Sequence, residues 1–274
     1  MRPPISAVVT TYNNAGTLSA CLQSLRFCDE IVVLDSDSDD ASRSIAESFS
    51  ARVFIEPFKG YAAQKQSAID KAAHDWILLL DADESLSDAG RAVIESELAA
   101  ARADGYRLPR REWLFWRWPH ANTAPNWQLR LFRKSCGGMN AVPVHAAPEV
   151  RGRVIDLAAP FDHYGESEIA VRVDKVNRYS SGLVEYKRRR RVRFLGLRLL
   201  FYPAFAFARF YFGKRYFLSG WAGFVAARVQ AFYAFLKYAK VLEAMHKDVQ
   251  VSREATAGSA EPGSRERPQK KDDA

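Results

Sequence analysis

The chain has few cysteines and lacks the motifs of several large enzyme classes. Three cysteines occur among 274 residues and no CxxC is present, so we expect neither a disulfide framework nor a zinc site, and a reducing cytosol is the simpler interpretation. The sequence contains no G-x-G-x-x-G after the first predicted strand, no G-x-x-x-x-G-K-[ST] and no G-x-S-x-G. These absences argue against a dinucleotide-binding enzyme, a P-loop nucleotidase and a G-x-S-x-G hydrolase.

Long uncharged apolar runs are also absent. No run approaches the ~20 residues that a helix needs to cross a bilayer, and the opening MRPPISAVVTTYNN has no apolar segment for secretion. We therefore expect the catalytic part to remain in the cytoplasm.

Positive charge and aromatic residues are plentiful and unevenly placed. The net charge is +8, and residues 187–193 read KRRRRVR. Such a cluster can serve nucleic acid, acidic lipid or a phosphorylated substrate. Because cations also interrupt the aromatic segment 195–240, we favour helices lying in the interface of an anionic membrane, and no nucleic-acid partner. A packed helical subdomain or a homo-oligomer surface is the alternative.

The first hundred residues alternate between strand-like and helix-like patterns. This alternation predicts an α/β fold with a mostly parallel sheet and helices on both faces. Hydrophobic periodicity predicts four strands, at 5–10, 31–34, 53–55 and 76–80. It also predicts helices at 61–73 and 87–103.

Composition then divides the chain into three regions. Residues 1–165 form the predicted catalytic domain. Its first half, to about 104, is expected to bind the substrate that donates a group, and its second half, the strands and loops at about 105–165, the substrate that accepts it. Residues 166–246 form a helical, membrane-associated region. The polar residues 247–274 are expected to be a disordered tail.

Acidic residues follow two of the buried strands. Asp81 and Asp83, separated by one residue after WILLL, can share Mg²⁺ or Mn²⁺, which prefer oxygen ligands and bind substrate phosphates. The alternative is a polar turn with a helix cap. Since ligands bind beyond the carboxyl ends of parallel strands, this run and the run 35–40 should meet at one site.

Two further residues suit a nucleotide ligand. Asp35 ends the second strand and can accept hydrogen bonds from a uracil ring or a ribose, whereas Asp37, Asp39 and Asp40 suit the turn that follows. Lys65, on a predicted helix between two strand ends, could meet a diphosphate. A helical lysine is otherwise usually solvated surface.

Two sets of ordered segments along the chain carry a family resemblance. The first set is ISAVVTTYNN, EIVVLDSDSDDAS, GYAAQKQSAID and DWILLLDADESL, and the second is YRLPRREW, WQLRLFRK, VPVHA, NRYSS and GWAGFVAARVQAFYAFLKYAKV. The first set resembles the donor-site motifs of family-2 glycosyltransferases with the GT-A fold. The second set resembles the branch of lipopolysaccharide-core β-1,4-glucosyltransferases, and the resemblance covers roughly residues 5 to 243.

The resemblance implies roles at matching positions. Thr11 and Asp35 would contact the nucleoside, and Lys65 stands where the family often has a basic residue near the nucleotide. Asp81 would contact ribose or metal, and Asp83 would bind the metal. The implied reaction is a single displacement with inversion, in which a carboxylate deprotonates the acceptor hydroxyl.

The catalytic base is where this chain departs from the branch. The branch usually has V-H-E, and this chain has an alanine after Val144-His145. Glu149 or Glu112 could substitute, and His145 is a further candidate as base or metal contact. A structural loop histidine is an equally good interpretation of His145.

These features together predict an inverting transferase. It would move a hexose, with glucose favoured, from a UDP-sugar to a lipid-linked oligosaccharide such as the lipopolysaccharide inner core. It would act at the cytoplasmic face of the bacterial inner membrane as a peripheral or monotopic protein. Alternatives are an enzyme acting on a polyprenyl phosphate or capsule precursor, and a catalytically weak sugar-nucleotide-binding membrane protein.

Overall fold

The computed structural model describes residues 2–140, 147–165, 168–190 and 192–258. The strands are β1 (Ile5–Thr11), β2 (Glu30–Asp35), β3 (Arg52–Ile55), β4 (Trp76–Asp81), β5 (Glu84–Leu86), β6 (Gly105–Glu112), β7 (Asn126–Arg133), β8 (Gly137–Met139), β9 (Pro148–Val150), β10 (Val154–Asp156) and β11 (Phe161–His163). The helices are α1 (Ala15–Ser24), α2 (Ser42–Ser48), α3 (Tyr61–Asp70), α4 (Asp88–Leu98), α5 (Ile169–Gly182), α6 (Val184–Arg189), α7 (Leu195–Ala208) and α8 (Gly220–Gly258).

The described strands form one large sheet and one small one. The large sheet has the order β3-β2-β1-β4-β7-β6-β11-β5, with β10 also paired to β6. The pairs among β1 to β4 are parallel, whereas β7 runs antiparallel to both β4 and β6. β8 and β9 pair with each other in a separate antiparallel ribbon.

Apolar residues of the central strands alternate between two cores. Val9, Val33 and Leu78 face one side, where they pack with helices α1, α2 and α4. Val8 and Leu79 face the other side, towards α3. Strands buried on both faces explain why these segments are continuous apolar runs in the sequence.

The predicted strands and helices are found within a few residues of their expected bounds. Helix α4 starts at Asp88 because the Ser87 hydroxyl accepts a hydrogen bond from the Gly90 amide at 3.0 Å. It ends at Leu98 rather than at 103. The fourth strand continues through Asp81, so the first aspartate of the acidic motif belongs to β4 itself.

The C-terminal region is helical, as expected. Helix α7 packs along α8, and α5 contributes Val176 to a third core with Leu114 and Phe115 of the catalytic part. Among the described residues, no helix combines the length and the apolar character needed to cross a membrane. Helix α8 continues to Gly258, past residue 247, where the sequence pattern places the start of the tail. The polar stretch after residue 247 contains good helix formers such as Glu254 and Ala255, which composition alone does not distinguish from a tail.

Candidate functional site

The carboxyl ends of the parallel strands bring three predicted site residues to one edge. Thr11 lies opposite Asp35 in the β1–β2 ladder, and Thr10 lies opposite Asp81 in the β1–β4 ladder. The two acidic runs therefore share this edge, but β1 separates them by two strand spacings, about 10 Å. Asp35 and Asp81 therefore lie on either side of the end of β1.

Two cations surround Asp81. Lys65 Nζ lies 2.5 Å from one carboxylate oxygen, and Arg130 Nη2 lies 3.3 Å from the other. Burial would raise the pKa of Asp81, but the positive charges of Lys65 and Arg130 outweigh burial and hold this pKa well below its usual range. The predicted helical lysine is thus directed into the site and is not solvated surface.

Asp83, His163 and Glu112 form a second charged group beside the first. His163 Nε2 lies 3.2 Å from Asp83 Oδ2, and its Nδ1 lies 3.4 Å from Glu112 Oε2 without hydrogen-bond geometry. Burial alone would lower the pKa of His163, but the two carboxylates outweigh it and raise this pKa to about 9. At neutral pH the imidazole is therefore protonated and holds the two carboxylates on either side of it.

Glu112 is held by further donors. Asn126 Nδ2 donates to Glu112 Oε1 at 2.9 Å, and Arg110 forms an ion pair with the same oxygen. Burial would raise the pKa of Glu112, but contacts with His163 and Arg110 hold it well below its usual range. Glu112 is therefore ionised and is joined to Asp83 through His163.

Glu84 forms the buried floor of this site. Its carboxylate accepts from Arg130 Nη2 at 2.6 Å and from the Asp81 amide at 3.1 Å. Arg110 Nη1 lies 3.3 Å from the same carboxylate. Since Glu84 is fully buried, the two arginines supply the charge that its burial requires. This pairing fixes Arg130 beneath Asp81.

The nucleoside side of the edge is already internally paired. Asp35 is fully buried and accepts from the Ser38 amide at 2.8 Å and from Arg43 Nε at 2.9 Å. Thr11 donates from its hydroxyl to Asn14 Oδ1 at 3.3 Å. In this conformation Arg43 covers Asp35. Direct contact of the uracil ring of a nucleotide with Asp35 therefore requires the guanidinium of Arg43 to move.

The three candidate bases are not in equivalent places. Glu112 lies in the charged group with Asp83, as just described. Glu149 lies on β9 of the small sheet, where it is exposed and accepts a hydrogen bond from Asn140 Nδ2 at 3.1 Å. His145 lies outside the described residues.

Sequence reasoning missed Arg130, Glu84, Arg110 and His163 as site residues. Arg110 follows Tyr106 and Leu108 at alternate positions of β6, and a charge in such an apolar alternation is a usable signal. Arg130 follows the polar Gln128 at alternate positions of β7, so the pattern of that strand does not mark it. His163 gives no such signal. It reaches Asp83 because β11 pairs antiparallel with β5, so that His163 stands opposite Glu84, 79 positions earlier.

Asp83 and His163 present an oxygen and a nitrogen that could together contact a divalent cation. One Asp83 oxygen faces an imidazole nitrogen at 3.2 Å, so a metal could replace the proton they share. Each oxygen of Asp81 already lies against one cation, Lys65 or Arg130, so a metal at Asp81 would compete with these ion pairs. Among the described residues, no group of three or more His, Cys, Asp or Glu side chains is arranged so that it could hold a metal ion.

Comparisons with known proteins identify the family of this chain. The sequence model of "Glycosyl transferase family 2" matches residues 6–144. The lipopolysaccharide core biosynthesis glycosyltransferase LpsC of Rhizobium meliloti is 31% identical over 88% of this chain and 92% of that protein. An uncharacterized glycosyltransferase of Rickettsia felis is 31% identical over 90% and 92%, respectively. The S. aureus TarS 1-349 structure aligns with 86% of this chain and 91% of that chain, with 14% identity and a TM-score of 0.45.

The chain belongs to glycosyl transferase family 2. It is a relative of a lipopolysaccharide core biosynthesis enzyme, as the resemblance implied. The mostly parallel sheet with flanking helices, and the acidic motif at the end of central strand β4, confirm the expected GT-A class of fold.

Proposed function

We propose that this protein is an inverting hexosyltransferase that moves glucose from a UDP-sugar to a lipid-anchored bacterial glycan such as the lipopolysaccharide inner core. The observation that carries the proposal is the arrangement at the end of β4. Two cations pair with Asp81, and His163 joins Asp83 to a second carboxylate, Glu112. The relationship to LpsC supports the choice of acceptor class.

On the donor side, positive charge is available for a diphosphate. Lys65 and Arg130 already balance Asp81, and a bound diphosphate would share these two cations. Asp83 and His163 would hold a Mg²⁺ or Mn²⁺ ion, which when bound neutralises charge on the departing nucleoside diphosphate. The positions of Asp81 and Thr11 at the strand edge suit contacts with the ribose and nucleoside.

On the acceptor side, aromatic rings adjoin the charged group. Trp118 contacts both Trp113 and Tyr164, with ring centroids 5.0 and 5.3 Å apart. Tyr164 directly follows His163 and is partly exposed, so this aromatic cluster can stack against a sugar ring. A hydroxyl of that sugar would meet Glu112, which we propose as the base.

The direct test is a donor and acceptor screen with purified full-length protein. We expect release of UDP from a UDP-hexose that depends on Mn²⁺ or Mg²⁺ and on a truncated core glycolipid. If UDP release requires a polyprenyl phosphate instead, the acceptor is a polyprenyl phosphate and not a core glycolipid. Tight UDP binding without turnover on any acceptor would favour a sugar-nucleotide-binding membrane protein.

Replacement of Lys65 tests the donor side. We expect Lys65→Ala to weaken UDP binding by about 1–3 kcal/mol, because a charge-assisted contact to phosphate is lost. Titration calorimetry measures the effect. Lys59→Ala is the matched control, since Lys59 is exposed and pairs with Glu56 away from Asp81. Unchanged UDP affinity in Lys65→Ala would remove Lys65 from the donor site.

We further propose that the C-terminal helices hold the enzyme on the cytoplasmic face of the inner membrane as a peripheral or monotopic protein. Leu197, Leu200, Phe201 and Phe205 of α7 recur at helical spacing and are exposed, and together they form an apolar stripe. Residues 186–240 contain 13 Lys and Arg and no Asp or Glu. Apolar burial and attraction to anionic headgroups then act together.

Removal of part of the stripe should release the protein from vesicles. We expect the double variant Leu200→Ser/Phe201→Ser to bind phosphatidylglycerol vesicles at least about a hundredfold more weakly, because burial of each side chain contributes about 1.5–3 kcal/mol. Sedimentation with the vesicles measures binding. The control Ile55→Ser/Phe58→Ser removes two similarly exposed apolar side chains from the catalytic domain. Equal loss in both double variants would contradict a specific membrane face.

A further inference from the structure

A groove lies between α7 and α8 beside the apolar stripe. It encloses about 180 Å³, less than the ~300–1,000 Å³ of a typical small-molecule pocket, so it suits one end of a larger ligand. Four of its nine lining residues are aromatic and two are cations. The aromatic residues are Tyr202, Phe205, Phe210 and Tyr233, and the cations are Arg209 and Lys237.

Lys237 is a cation without a counter-ion inside this groove. Its Nζ lies 5.4 Å from the ring centroid of Tyr202 and 4.8 Å from that of Tyr233. Throughout the described part of the chain, no carboxylate lies within ion-pair distance of it. Burial, and secondarily the nearby charge of Lys187, lowers the pKa of Lys237. An ammonium group in this environment would be stabilised by an anion from outside the protein.

The surroundings restrict what that anion can be. Arg209 adds a second cation to the groove, and the 55 residues from 186 to 240 include no acidic side chain. Phe205 lines the groove and also belongs to the exposed apolar stripe, so the groove and the stripe form one continuous surface. A ligand with an anionic end and an apolar chain matches both parts of this surface.

We propose that the groove between α7 and α8 binds the phosphate end of an anionic phospholipid of the bilayer, with Lys237 and Arg209 as its cationic contacts and the acyl chain along the stripe. The inference deepens the proposed membrane attachment, because it converts a general electrostatic attraction into a defined lipid site. The aromatic walls exclude water from the phosphate and so strengthen its pairing with the two cations.

The test is titration of full-length protein, without donor, with short-chain dioctanoyl-phosphatidylglycerol below its micelle concentration. We expect saturable binding that Lys237→Met weakens at least about tenfold and that Lys237→Arg largely retains. Lys247→Met is the control, since this exposed lysine on the same helix pairs with Glu243 outside the groove. Equal affinity of wild type and Lys237→Met would overturn the inference.

Two further measurements are made on the same site. The first identifies the source of the anion, and the second does not depend on the folding of a variant. Inorganic phosphate should not compete with the probe, and competition at similar concentration would make the groove a phosphate site. In the wild-type chain, the probe should slow acetylation of Lys237 but not of Lys247, as read by mass spectrometry, which requires no variant to fold. Asp83→Asn should bind the probe normally, so loss of transfer and loss of lipid binding are independent results.

Discussion

Replacement of Asp83 by asparagine is expected to reduce sugar transfer by about 10³-fold or more while the protein remains folded. A bound divalent cation contributes several kcal/mol to stabilisation of a departing diphosphate, and each 1.36 kcal/mol corresponds to tenfold in rate. Asparagine retains the shape of aspartate but removes the negative charge that faces His163. Turnover of UDP-hexose at saturating Mn²⁺ measures the effect.

The fold should tolerate this change because of where Asp83 lies. Its side chain is 30% exposed and follows the end of β4, so no apolar packing is lost. His163 would keep Glu112 as a charged neighbour at 3.4 Å. Thermal unfolding of the variant should therefore remain close to that of the wild type.

A matched control is available at the same sheet edge. Asp37 follows β2, is largely exposed and pairs with Arg43. Its φ of 71° is a conformation that asparagine adopts readily, so Asp37→Asn should fold and retain activity. Near-normal transfer by Asp83→Asn would refute the metal assignment. Similar losses in both variants would point instead to a general effect on the edge.

Much of the catalytic fold could be predicted because its signals are local. Each buried parallel strand, such as 76–80, is a continuous apolar run, and the polar residue that ends it marks the edge where ligands bind. Asp35, Lys65, Asp81 and Asp83 were therefore predicted at this edge from their positions alone. The structure places all four there, although Asp35 is covered by Arg43.

The contacts between these residues could not be predicted, because they come from distant parts of the chain. Arg130 reaches Asp81 across 49 positions, through the antiparallel pairing of β7 with β4. The sequence pattern of β7 does not indicate which carboxylate Arg130 meets. The pairing of Lys65 with Asp81 could likewise not be predicted, since a helical lysine has the same local sequence pattern whether it faces solvent or a site.

The choice between the two candidate glutamates illustrates the same limit. In the sequence, Glu149 is close to the position where the branch has its glutamate, and Glu112 is more than thirty residues away from that position. In three dimensions β6 places Glu112 beside His163, whereas Glu149 lies on the separate β8–β9 ribbon. The sequence therefore leaves both glutamates open, whereas strand pairing favours Glu112.

The second large effect is expected for Glu112→Gln, which should slow transfer by about 10²–10⁴-fold, the usual contribution of a positioned general base. The pKa of Glu112 is held well below its usual range, so the carboxylate is ionised at any assay pH near neutrality. Such a weak base can still accept the proton, because the acceptor oxygen becomes strongly acidic as its bond to the anomeric carbon forms. Turnover at saturating donor and acceptor measures the loss.

Glutamine is a suitable replacement because the position can hold an amide. Its carbonyl oxygen can continue to accept from Asn126 and Arg110, as Glu112 Oε1 does now. UDP affinity should remain within about threefold, since a base acts on the acceptor and contributes little to donor binding. Loss of UDP affinity equal to the loss of turnover would indicate a structural role for Glu112 and contradict its role as base.

Glu149→Gln provides the comparison that decides between the two carboxylates. Glu149 is exposed and its hydrogen bond from Asn140 can be retained by a glutamine oxygen, so we expect transfer close to that of the wild type. A large loss in Glu149→Gln with little loss in Glu112→Gln would reverse the assignment. If neither variant slows transfer, neither carboxylate is the base, and His145 becomes the candidate to replace next.

Because both substitutions remove one negative charge and leave side-chain size unchanged, a difference between them reports the position of the carboxylate rather than the loss of charge alone.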